Sequence, residues 1–174
     1  MMEYQELKQA KSLFMVKQDI FNGEYILTDH TFNYGKLVYD GLGREQGIAY
    51  TSDSNWKFGY DFEPFGKSEI LVYDSFDHLI GKIVLNRNSG SAKLIMQEGF
   101  TAKFENSFIF SNEYQWTCEE YGPLLRFKIH SFSLTDDIDI LNDSISSQLT
   151  ILLCFLATHI IIRKKRHSST NSQF

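Results

Sequence analysis

Gln148-Leu149-Thr150-Ile151-Leu152-Leu153-Cys154-Phe155-Leu156-Ala157-Thr158-His159-Ile160-Ile161-Ile162 is the longest apolar stretch of the chain, and Arg163-Lys164-Lys165-Arg166 follows it at once. On a helical wheel Leu149, Ile151, Leu152, Leu153, Phe155, Leu156, Ile160 and Ile161 leave no polar face. A helix apolar all round is either buried inside protein or spans lipid. A bilayer core of about 30 Å needs about 20 apolar residues, whereas runs of about 10–14 are more often buried core helices. The strictly apolar core, 151–162, is short and is interrupted by Thr158 and His159. It reaches spanning length only if Ser146, Ser147 and Gln148 are counted. A helix buried in protein is therefore expected, and a C-terminal tail-anchored membrane protein is the architectural alternative. The positive run would suit a cytoplasmic flank and would place the body outside the cell. That needs an export signal, and the first residues, Met1-Met2-Glu3-Tyr4-Gln5-Glu6-Leu7-Lys8, carry acid and no apolar h-region. The expected location is cytoplasmic, with membrane association left open.

Composition bounds the rest. The chain has 174 residues, enough for one domain with a substantial core. Fifteen Phe and nine Tyr favour strands. The net charge is −5, and because the four residues 163–166 are all positive, the remainder carries −9. An acidic body argues against a nucleic-acid surface, which needs clustered Lys and Arg. Cys118 and Cys154 stand alone in unrelated contexts and read as small hydrophobes in a reducing compartment.

The text before the apolar stretch is β. From Leu13 to Phe132, ten or more short runs of alternating apolar residues are separated by turn residues about 8–12 positions apart, the signal of an all-β sandwich or barrel. The plainest are Trp56, Phe58, Tyr60 and Phe62, and the hairpin formed by Lys82-Ile83-Val84-Leu85 and Lys93-Leu94-Ile95-Met96. Asn22-Gly23 and Asp40-Gly41-Leu42-Gly43 mark turns. Leu37-Val38-Tyr39-Asp40 with Gly47 recurs as Leu71-Val72-Tyr73-Asp74 with Gly81, offset by 34 positions. A duplicated hairpin and a chance match both fit. Thr135 to Asp143 is read as ending the strands and loading acid before the helix, where carboxylates cap N–H groups and suit the dipole.

A long antiparallel meander followed by one wholly apolar helix is used fully by a closed barrel with the helix through its middle. In this arrangement the chain resembles the tubby C-terminal-like superfamily, which includes tubby, LURP-one-related proteins and phospholipid scramblases. The residues carrying the resemblance are Trp56-Lys57-Phe58, the hairpin Leu71-Val72-Tyr73-Asp74 to Gly81-Lys82-Ile83, and the terminal run from Leu149 to Ile162. The resemblance implies a mainly β fold: a closed antiparallel β-barrel of about twelve strands around a buried hydrophobic C-terminal α-helix. The chain is expected to divide into an arm (1–12), one barrel domain (13–162) with its helix at about 143–163, and a basic, then polar and disordered tail (164–174). In tubby it implies phosphoinositide binding by Lys and Arg on the barrel surface, and in scramblases a calcium-binding segment near the helix.

Candidate sites follow. Asp136, Asp137, Asp139 and Asp143 are the candidate metal ligands. They lack the glycine-bearing spacing of an EF-hand, and capping is the competing explanation. Arg163, Lys164, Lys165 and Arg166 are the candidate lipid contacts, each cation near an anionic surface contributing about 1 kcal/mol. The competing explanation is a charge cluster complementing the helix C-terminus. Asp29-His30 and Asp77-His78 read as turn residues. Gly41 to Gly47 is spaced wrongly for a phosphate loop. His159 is expected to be a core or rim histidine with a backbone partner. No constellation offers a nucleophile. The expectation is a non-enzymatic binding module without a cofactor, for anionic lipid headgroups or a membrane surface. The alternative is a protein-interaction or scaffold domain with a protein partner. The sequence specifies no oligomeric state.

Overall fold

The computed structural model describes residues 3–19, 23–39, 46–61, 68–86, 89–107 and 111–170. Among these, twelve strands precede one helix: β1 (Ser12–Asp19), β2 (Glu24–Thr28), β3 (Asn33–Tyr39), β4 (Gly47–Thr51), β5 (Asn55–Asp61), β6 (Glu69–Tyr73), β7 (Leu79–Leu85), β8 (Ala92–Met96), β9 (Thr101–Asn106), β10 (Glu113–Cys118), β11 (Gly122–Lys128), β12 (Thr135–Ile140) and α1 (Ser147–Thr170). Each strand pairs antiparallel with its neighbours in the chain, and β1 pairs with β12, so the sheet closes. Closure removes every unpaired strand edge.

The helix fills the barrel. Inward-facing residues such as Leu13, Leu37, Phe58, Val72, Leu94, Phe127 and Ile138 are buried, and every helix residue from Ile151 to Ile161 is buried with them. Both sides of the packing are adapted. Phe104, Trp116 and Phe127 form one large aromatic group on the wall. The Trp116 indole N–H donates to the Leu153 carbonyl at 3.0 Å. Near β3 and β4 the wall is thinned by glycine instead. A Cβ on Gly35 would lie 2.5 Å from the Tyr50 carbonyl oxygen and 3.0 Å from Phe155 Cζ, so a side chain there would have to displace backbone. The segment Ser147–Arg166 has the length and mean hydropathy (1.3) to cross a bilayer, yet most of it is enclosed by strands.

Three expectations are corrected. The acidic segment before the helix is a strand: β12 pairs with both β1 and β11, with Ile138 inward and Asp137 and Asp139 on the opposite face. The alternation of Asp137, Ile138, Asp139 and Ile140 is the period-2 signal of a half-buried strand. The helix accordingly has no acid in its first turn, and Ser146 caps it, its Oγ accepting the Leu149 N–H at 3.2 Å. The helix also begins later and ends later than 143–163. It carries the basic run and continues to Thr170, whereas 171–174 lie outside the described residues. The 34-residue repeat is not structural. Leu37 and Tyr39 point inward on β3, whereas in β6 Val72 is buried and Leu71 and Tyr73 are the less buried residues. The turns expected at 40–43 and around Asn22 and the end of the Trp56–Phe62 alternation lie wholly or partly outside the described residues.

Odd-numbered strands run with the helix and even-numbered strands against it, so the barrel has two distinct ends. Gln148, in the first helical turn, bonds Ser54 between β4 and β5, and Lys164 bonds the Gly90 carbonyl between β7 and β8. The first is the entry end and the second the exit end of the helix.

Candidate functional site at the exit end

The basic run is anchored to the rim. Continuing the helix spaces its four side chains around the axis by about 100° per residue, so they reach different sectors. Lys164 Nζ bonds the Gly90 carbonyl and lies 5.1 Å from the Tyr114 ring centroid and 5.9 Å from that of Phe104. Burial pushes its ammonium pKa down. The Arg166 guanidinium sits 5.3 Å from the Tyr39 ring centroid, a cation–π contact. Arg163 is half-buried, and Lys165 is the exposed member, turned toward β12 and Asp136. Rings at the mouth of the barrel hold two of the four cations.

Below this collar lies His159, fully buried. Its partner is a side chain, not the backbone: Nδ1 and the Tyr39 hydroxyl share a 2.8 Å hydrogen bond, and the two ring planes are nearly parallel. Nε2 has no hydrogen-bond partner among the described residues. Burial, reinforced by Arg163 and Arg166, pushes the imidazole pKa down to about 3, so the ring is neutral in the folded protein. An unfolded histidine has a pKa near 6.5. Between these values the unfolded chain binds a proton that the folded one refuses. Stability is therefore complete above about pH 6.5 and falls as the pH drops toward 3, by up to about 1.4 kcal/mol per pH unit from this group. His159→Gln is expected to remove that component. Urea midpoints at pH 7 and pH 4.5 should differ less in the variant than in the parent, and an unchanged difference would refute the assignment.

Strand geometry separates the candidate metal ligands. Asp136 is half-buried, and its Oδ1 accepts the His130 backbone N–H at 2.9 Å; burial raises its pKa against that hydrogen bond. Asp137 meets the His130 ring at 2.9 Å and Asp139 meets Lys128 at 3.8 Å. Asp143 lies beyond β12, at the entry end. No three His, Cys, Asp or Glu side chains among the described residues are grouped to hold a metal ion. Asp29 accepts the N–H groups of Thr31 and Phe32, and Asp74 those of Phe76 and His78, so each carboxylate braces its own turn. Asp77 pairs with Lys57 at 2.5 Å.

The two ends differ in charge. The entry-end connections (29–32, 52–54, 74–78, 97–100, 119–121 and 141–146) hold Asp29, Asp53, Asp74, Asp77, Glu98, Glu119, Glu120 and Asp143 and neither Lys nor Arg, and the arm that meets this end adds Glu3, Glu6, Lys8 and Lys11, with no net charge. The exit end carries Arg163 to Arg166. Sequence reasoning located the basic run but not this polarity, which appears only once the strand directions assign each connection to an end.

A hollow of about 270 Å³ opens at the exit end between the helix and strands β1, β11 and β12. Met15, Phe127 and Ile161 line its apolar part, and Lys17, Asp136 and Lys165 its polar part. The Lys17 ammonium lies 6.0 Å from the Tyr25 ring centroid. No protein-family model, curated protein or solved structure matches the chain.

Proposed function

We propose that this protein is a non-enzymatic binding module that sets the exit end of its barrel against an anionic membrane surface. The observation that carries the reading is the charge polarity: eight carboxylates with no Lys or Arg in the connections at one end, and the four-cation helix end at the other. An anionic surface attracts the second end and repels the first, which orients the molecule as well as binding it. The helix fills the barrel interior, leaving the ends and outer wall for recognition. The resemblance to tubby C-terminal-like barrels, some of which bind lipid headgroups, agrees with this.

The test is flotation of the full chain with phosphatidylcholine vesicles, with and without phosphatidylserine. Binding is expected only to the anionic vesicles and should weaken as salt shortens the Debye length from about 10 Å at 0.1 M to about 3 Å at 1 M. Equal recovery with both vesicle types would overturn the reading. A second reading, a protein-interaction or scaffold domain, is favoured by Phe32, Phe76, Tyr121 and Leu141, which are exposed around the acidic entry end.

A further inference from the structure

We infer that the turn between β11 and β12 is a membrane-insertion element, with Phe132 and Leu134 entering the lipid interface while neighbouring cations meet the headgroups. The inference rests on the reading above and specifies which residues penetrate. Phe132 is wholly exposed, at 107% of its reference area, and Leu134 is 52% exposed. Among the described residues these are the exposed large apolar side chains at the exit end; the others, including Phe32, Phe76 and Leu141, lie at the acidic entry end. Singly scattered exposed apolar side chains are ordinary, whereas clustered ones mark interaction sites; Phe132 and Leu134 stand two positions apart in one turn, beside cations of the exit end.

The turn is braced in that position. The Lys17 N–H donates to the Leu134 carbonyl at 2.7 Å, and the Ser133 N–H to the His130 carbonyl at 3.3 Å. The Thr135 N–H donates to Ser133 Oγ at 3.0 Å, and the His130 N–H to Asp136 Oδ1 at 2.9 Å. These bonds tie both limbs of the turn to the barrel and leave Phe132 at its tip. Lys17 and Lys165 line the hollow beside the turn. Two carboxylates beside the turn have partners within the protein: Asp136 accepts from the turn backbone and lies near Lys165, and Asp137 meets the His130 ring. An aromatic and a leucine side chain flanked by lysines are the parts from which interfacial anchors are built. Charge complementarity therefore selects an anionic phospholipid surface as the occupant.

The experiment compares the full-length parent with a Phe132→Ser/Leu134→Ser double variant and with Phe132→Trp, using phosphatidylserine-containing vesicles. The double variant should keep the parent's thermal midpoint, because both side chains are exposed, and should bind vesicles about tenfold more weakly or worse. Trp56 and Trp116 are already buried, so the added indole of Phe132→Trp reports on its own surroundings. Its emission should shift to the blue on vesicles and be quenched by lipids brominated on their acyl chains. If the parent binds but the double variant binds equally and the added indole neither shifts nor is quenched, insertion is overturned and the charge-based reading stands. If the parent does not bind, both fall together. Self-association without vesicles that the double variant abolishes would assign the turn to a second copy of the chain, and so also overturn insertion.

Discussion

Leu156→Asp is expected to abolish cooperative folding. Leu156 is fully buried in the middle of α1, enclosed by the barrel wall. An ionised carboxylate there has no partner among its apolar neighbours, and the effective penalty for a buried ion is several kcal/mol. Domains of this size are stable by only about 5–15 kcal/mol. At pH 7 the variant should show no cooperative thermal transition in near-ultraviolet circular dichroism. Were the helix lying in water on the outside of an open sheet, the same substitution would change stability by no more than about 0.5 kcal/mol. The two architectures thus predict outcomes of different kind.

Phe155→Ala tests the packing rather than the burial. The Phe155 ring is fully buried and occupies the space that Gly35 leaves open on β3. Truncation removes the ring and leaves a cavity that β3 is poorly placed to fill, because Gly35 has no side chain and its backbone is paired with both β2 and β4. The expected loss is about 3–5 kcal/mol, read as a lower denaturant midpoint with an unchanged slope. A loss below about 1 kcal/mol would show that the ring does not fill the lumen at Gly35.

The barrel and its core helix were legible in the sequence because both rest on hydrophobic patterning. A helix apolar on every face demands a surrounding wall, and a series of short alternating strands supplies one. The errors arose where two signals shared the same residues. Asp136, Asp137, Asp139 and Asp143 read as acid gathered before a helix, whereas the alternation of Ile138 and Ile140 with them makes 135–140 a strand. The helix runs through Arg163 to Arg166, a run that reads as a boundary, because Lys and Arg are good helix formers. The repeat of Leu-Val-Tyr-Asp misled because identical residues can occupy strands in opposite phase, and a shift of one position turns every side chain to the other face.

Less of the candidate site was legible. The basic run stood out by composition, but its engagement with Tyr39, Phe104 and Tyr114 depends on which strands bring those rings to the exit end. Phe132 could not be told from the core phenylalanines, since one residue in a turn shows no period. The pairing of His159 with Tyr39 joins residues 120 positions apart, and nothing local announces it.

The most direct test of the enclosed helix is a nuclear Overhauser spectrum of the full chain in buffer without detergent. The threaded barrel predicts cross-peaks from the Trp116 indole to Leu153 and from the His159 ring to the rings of Tyr39 and Phe58, which lie 5.6 and 5.4 Å away between centroids. Absence of those cross-peaks in a folded sample, or their appearance only after a detergent is added, would contradict it.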